Sequence, residues 1–407
     1  MIRIEFKRLV LSKSNRCILA LSIFITLLLC WLVVSFSYYP NTNIKSSSNG
    51  DLRGIKAVTR LKKEAGEFEG EINKDFLCMC FDKYHNFIDS YGTDYPIDSY
   101  YREIKPINVF LEMVWFSQFD NNGAQKQLED ITLSEAKNFY SNRQKAQGSI
   151  TGNKTAVNKL VKKIDQNNNK PFFYKYGLGD SNTTEYLSFL IFFIAVFSVI
   201  IASPVFSTAY YSGDDEIVRC TMHGKKKLAK TRILAVFIFI TILYVMTTFI
   251  FLCITVRIYG VDNSSIQISK GALLCAPLTE IQLLALVEVS GYLSVLSICS
   301  FSLFVSSKSE NPTITLAISM CVLLLPTIIA FVGKPDNLFN WIRVCLPSGG
   351  VGFGSNVFYE VTSNFVGNFY KVSKYALFGP NVRVLIDMIW VVLTFNLAKK
   401  SYLNHTK

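Results

Sequence analysis

Six stretches of the chain are almost free of charge, and they limit what it can fold into: Cys17–Tyr38, Leu187–Tyr211, Ile233–Val256, Ile281–Val305, Asn311–Gly333 and Pro380–Ala398. A helix crossing hydrocarbon needs about 20 apolar residues. Lipid offers no partner to backbone N–H and C=O groups, so a helix that satisfies its own is the fitting element. The second and third runs carry no charge at all, whereas the sixth has Arg383 and Asp387 near its start. The expectation is an all-α membrane protein with six transmembrane helices.

The formal charge of +12 would suit a nucleic-acid binder if it were spread along the chain. It is not spread. Residues 1–16, 212–232, 306–310 and 399–407 hold 15 Lys and Arg in 51 residues, against 7 in the 74 residues of 257–280 and 334–383. Residues 39–186 are nearly neutral, with 20 basic and 19 acidic residues. Basic loops stay inside and anionic lipid attracts them, so the pattern marks topology and a lipid bilayer partner, not nucleic acid. Both termini are then expected in the cytoplasm and residues 39–186 outside, in a cell membrane.

Before the first run, Ile2, Phe6, Leu9 and Val10 recur at helical spacing among Arg3, Lys7, Arg8 and Lys13. Residues 1–16 read as an amphipathic interfacial helix, with a disordered basic leader as the alternative. The basic flank and Ser35-Phe36-Ser37 resemble the end of a signal peptide, but the apolar stretch is longer than the usual 7–15 residues, which favours a span at 17–38. The outer segment opens on a polar linker, NTNIKSSSNGD. Residues 52–91 then show apolar positions at threes and fours, VFLEMVWFSQF suggests another helix, and Thr132 or Ser134 can cap one more. A second polar linker is expected at Gln166–Pro171. The outer domain is therefore expected to be mainly helical, and 187–398 to hold the five further spans with an outer loop at 334–380.

Sequence signs of catalysis are missing. His85, His223 and His405 are dispersed, and there is no P-loop and no nucleophile elbow. Cys78 and Cys80 form a lone C-x-C without a matching pair, weak as a metal site. Cys275 and Cys345 both fall in expected outer loops, and the sequence leaves their pairing open. PSGGVGFG (Pro347–Gly354) does not fit a dinucleotide fingerprint; it suggests close backbone packing or a re-entrant turn.

The loop YYSGDDEIVRCTMHGKKKLAKTRILA (Tyr210–Ala235) is sharply polarised. Three acids suit the positive end of a short helix that Ser212 or Asp214 can cap, an apolar middle offers a contact surface, and Gly224 can stop the helix before the lysines. This loop resembles the segment between the second and third spans of ABC exporter permeases of the ABC-2 type. FYSNR (Phe139–Arg143) and PFFYKYG (Pro171–Gly177) resemble a Gram-positive subgroup with a large extracellular domain after the first span. The resemblance implies that loop 212–232 carries a coupling helix docking on a separate ABC ATPase subunit, with Asp214, Asp215, Glu216, Ile217, Val218, Thr221 and Met222 at the contact. The family often has Glu among these acids. It also implies that ATP and Mg are held by that partner and no cofactor by this chain. A second permease, identical or related, would complete the transporter.

Glu288 is the one acid well inside the fourth run, where charge is costly. It can line a translocation pathway, sit protonated, or hydrogen-bond a neighbouring helix. Asp387 can line the same path or pair with Arg383 one turn earlier. Pro204 and Pro326 are expected to kink their spans. The functional expectation is the permease subunit of an exporter for an amphiphilic cargo, without an ATPase site of its own. The alternative is a non-transporting receptor whose outer domain binds a ligand and whose loop recruits a signalling partner.

Overall fold

A computed structural model describes residues 1–39, 51–92, 94–115, 118, 126–139, 172–220, 225–269, 278–332, 338–363, 369–372 and 375–405. Six helices in it are long and apolar enough to span a membrane: Lys13–Ser35, Thr183–Ser212, Lys226–Tyr259, Glu280–Ser306, Pro312–Phe331 and Gly379–Asn404. They fit a multi-pass membrane protein, and each coincides with one of the apolar runs. The third is longer than its run, at 34 residues. Lys226, Lys227, Leu228, Ala229 and Lys230 are all good helix formers, so the helix begins beside the lysines and not at the first uncharged residue.

The N-terminal helix Ile2–Leu11 is separate from the first span, because Ser12 at φ −58°, ψ 130° leaves the helical region. Asn15 holds the corner by donating from Nδ2 to the Leu9 carbonyl at 2.9 Å. Phe6 of the N-terminal helix meets Phe239 of the third span.

The second span is interrupted at Ser203, just before Pro204. A proline breaks the helical ladder and frees backbone groups that must find other partners. Ser306, at the end of the fourth span, supplies them. Its Oγ accepts from the N–H of Phe206 (3.0 Å) and Ser207 (3.1 Å) and donates to the Ser203 carbonyl at 2.6 Å. Pro326, by contrast, lies within a continuous helix.

Small residues bring the spans close. Gly291 on the fourth span lies so near the second that an added Cβ would stand 2.8 Å from Ile191 Cδ1. Ser300 of the fourth span hydrogen-bonds Thr394 of the sixth at 2.6 Å. Helices in lipid associate through such packing and hydrogen bonds, since burial of apolar surface gives no advantage over the surrounding tails.

Between the first two spans stands a mainly helical domain with helices Ile55–Ala65, Lys74–Tyr91, Ile97–Glu103, Asn108–Trp115 and Leu133–Lys137. The helical pattern expected over 52–91 is broken at 66–72. A single turn (Gly66–Phe68) and a strand (Gly70–Ile72) intervene, and Gly70 takes φ 143°, a conformation that side chains disfavour. That strand pairs antiparallel with Phe172–Tyr174, tying the two ends of the domain together beside the second span. Leu77, Phe81, Ile104, Ile107, Phe110 and Leu111 are fully buried between the helices. Thr132 caps the last helix in a reciprocal pair with Glu135. Both linkers and FYSNR beyond Phe139 lie outside the described residues.

The segment between the fifth and sixth spans is more structured than a loop. It holds helices Leu338–Cys345 and Val357–Ser363 and the hairpin Phe369–Val372 with Tyr375–Phe378. The chain between the two helices folds into the bundle: Ser348 Oγ donates to the carbonyl of Val322, halfway along the fifth span, at 2.6 Å.

Candidate functional site

Two places combine uncommon residues with geometry that could do work. The first is at the end of the bundle that carries the lysines. There the second span ends at Ser212 and Gly213 turns left-handed at φ 78°. Asp214–Arg219 then forms a helix of six residues. Such a helix is too short to persist unaided, so its anchors matter. Ser212 Oγ donates to Asp214 Oδ2 at 2.8 Å at its start. Asp215 is buried, and its Oδ1 accepts from the Tyr402 hydroxyl, near the end of the sixth span, at 2.7 Å. The Tyr402 ring lies near-parallel to that of Tyr210, which stacks on His405 at 3.9 Å.

The expected docking residues therefore divide. Asp214 and Ile217, three residues apart and so on one helix face, are exposed, Ile217 by 74%. Asp215 is buried and holds the helix to the bundle through Tyr402. Glu216 and Val218 belong to the helix, Thr221 and Met222 lie outside the described residues, and so does Gly224. Tyr402 was not legible as a partner. It sits in a polar tail, and only the fold brings it to Asp215.

The second place lies near the opposite end, around the chain that enters the bundle. Arg343 of Leu338–Cys345 pairs with Glu360 of Val357–Ser363 at 2.9 Å, and Arg383 of the sixth span pairs with the same Glu360 oxygen. All three are buried, Arg383 and Asp387 completely. Asp387 accepts from Ser294 of the fourth span and Arg383 donates to Glu360, so each also reaches another element beyond its neighbour one turn away. Arg343 also donates to the Ser355 carbonyl at 3.1 Å. Buried charges need such partners, because the desolvation of each ion costs several kcal/mol, on the order of a whole domain's margin.

Pro347–Gly354 makes this cluster sterically feasible. A Cβ on Gly349 would stand 2.6 Å from the Arg343 carbonyl, and one on Gly350 would run into Ser294 Oγ. The glycines are required for close approach of backbone to the buried polar cluster. Phe353 fixes the far side, with its N–H on Thr327 Oγ1 at 2.9 Å and its ring stacked on Phe189. Nearby, the Tyr359 hydroxyl donates to Glu185 at 2.7 Å, and burial together with that carboxylate pushes its ionisation upward.

Glu288 is elsewhere. The Tyr244 hydroxyl of the third span donates to its carboxylate at 2.9 Å, so Glu288 has the hydrogen-bonded partner that one of the sequence readings allowed. It faces the third span while Ser294 and Asp387 join the fourth to the sixth, so the fold does not bring the two membrane acids to one surface. Arg343 and Glu360 went unrecognised in the sequence. Their signal was a charge set among apolar neighbours, in FNWIRVC and VFYEVTS.

No group of three or more metal-ligating side chains occurs among the described residues. No family model matches the chain, and neither a characterised protein nor a solved structure matches it.

Proposed function

We propose that the chain is the transmembrane permease subunit of an ATP-driven exporter of the ABC-2 type, moving an amphiphilic cargo such as a lipid or peptide. The observation that supports this best is the short helix Asp214–Arg219, exposed on the face of Asp214 and Ile217 and tied on the other by Asp215 to Tyr402. A separate ATPase subunit holding ATP and Mg would receive the exposed face. Closure of two such ATPases would push this helix. The push would pass to the second span through Gly213 and to the sixth through Tyr402, and Pro204 with Ser306 offers a joint at which the second span can bend. The domain between the first two spans would stand outside the cell and receive or screen cargo.

The test is to inspect the neighbouring genes for a P-loop ATPase lacking spans and, with one found, to co-purify it with this chain in detergent and then in vesicles. Asp214→Lys with Ile217→Asp is expected to cut ATPase retention by about tenfold or more, since interface centres dominate binding, while the variant keeps its thermal stability. Retention and ATP turnover equal to the parent protein would refute the docking role. A neighbouring sensor kinase in place of an ATPase would turn the reading toward a receptor.

A further inference from the structure

The lysine-bearing end of the bundle holds a half-open cavity of about 760 Å³ between the N-terminal helix, the start of the first span and the Ser203–Pro204 break of the second. Its lining mixes apolar Leu9, Ile200, Ile201 and Val205 with polar Ser12, Ser14 and Thr208. Arg232, at the start of the third span, lines it and is only 5% exposed. Its Nε and Nη1 are buried without a hydrogen-bond acceptor. The nearest carboxylate, Glu5, stands 3.9 Å from Nε and is already engaged with Arg8 at 3.2 Å. Phe206 lies against the guanidinium, its ring centre 6.0 Å away. A buried arginine short of acceptors is costly; Nε and Nη1 are closed to the cavity, so a phosphate oxygen would meet the guanidinium at Nη2.

We infer that this cavity is a binding site for a phospholipid of the leaflet at this end of the bundle, its phosphodiester on Arg232. Four observations favour a lipid over a small free anion. The volume is that of a drug-sized ligand, far above what one phosphate fills. The apolar part of the lining would take the upper part of an acyl chain. The cavity sits where the amphipathic N-terminal helix turns into the first span, the level at which headgroups lie. Asp214 also lines the cavity, and its carboxylate can accept from a headgroup with hydroxyl donors, such as glycerol. Asp214 and Ile217 line the cavity while also forming the exposed face of the short helix, so an occupied site would brace that helix. The inference does not depend on the transport reading.

The experiment is native mass spectrometry of the full chain in a mild detergent, titrated with phosphatidylglycerol. The parent protein is expected to retain one lipid. Arg232→Gln should weaken retention by about tenfold, the loss of one charge-assisted contact. Ala209→Phe, which keeps Arg232 and fills the cavity from another lining position, should weaken it similarly. Lys226→Gln, outside the cavity, should leave it unchanged. Equal retention by the parent protein and Ala209→Phe would overturn the site even if Arg232→Gln fails to fold. Displacement of the lipid by millimolar inorganic phosphate would also overturn it, in favour of a small-anion site.

Discussion

The two ends of the helical bundle are held together in opposite ways. At the end with Pro347–Gly354, three buried charges share one ion-pair cluster, a fourth hydrogen-bonds a serine across the bundle, and glycines press backbone against them. At the lysine end, the second span is interrupted at Ser203–Pro204, where Ser306 and Ser207 supply partners, and the next helix is held by hydrogen bonds from Ser212 and Tyr402. The first arrangement has one low-energy geometry, since moving any member strands a buried charge. The second exchanges weak, separate contacts and leaves a cavity alongside. The contrast suits a chain in which one end holds the spans in place and the other responds to a partner.

The contrast breaks first if Glu360 is dispensable. Glu360→Gln leaves Arg343 and Arg383 without their shared carboxylate, and breaking a buried pair from one side costs about 3–5 kcal/mol. Thermal unfolding followed by circular dichroism should shift strongly downward. Gly350→Ala tests the packing, with an expected cost of about 1–3 kcal/mol for an added methyl in a filled space. Gly66→Ala, at an open helical-region position, is the matched control and should be nearly neutral. Tyr402→Phe probes the looser end. Losing one hydrogen bond costs about 1 kcal/mol, and the loss should be local, seen as faster hydrogen exchange over residues 213–219 without a change in global unfolding. Unchanged exchange there would remove Tyr402 as the anchor.

The smallest effect lies in the domain between the first two spans and serves as a baseline for both ends. Burial pushes the Glu135 carboxyl upward, but hydrogen bonds from Lys126 and Thr132 outweigh it and hold the group below its ordinary 4.5. A depressed folded-state value means that Glu135 stabilises above about pH 4.5 and that this contribution fades as pH falls through the folded value. The difference in melting temperature between the parent protein and Glu135→Gln should therefore narrow as the pH is lowered from 4.5. A difference that stays constant down to the acid limit of folding would assign it to packing.

Several features were legible because they depend on local composition or period. Apolar runs of spanning length marked the six long helices among the described residues, and Thr132 was one of the two caps the sequence allowed, with Glu135 as its partner supplied by the structure. The acids before Ile217 announced a short helix, and the glycines of Pro347–Gly354 announced a close approach. What the glycines approach was not legible. Arg383 and Asp387, one turn apart, read as a pair along one helix, but each also reaches a partner on another element.

The sequence by itself determined which segments are long and apolar enough to cross a membrane, since that depends on length and composition; several helix ends, such as the start at Lys226 and the break at 66–72, came only with the structure. Tertiary structure alone decided where the polar side chains point. Asp215 turning inward to Tyr402, Ser306 bonding at the Pro204 break and Glu360 joining two arginines are contacts between residues 17 to 187 positions apart. Such pairings are set by how the spans pack, because a buried polar group takes whichever partner the packing brings within reach, and no local pattern records that choice.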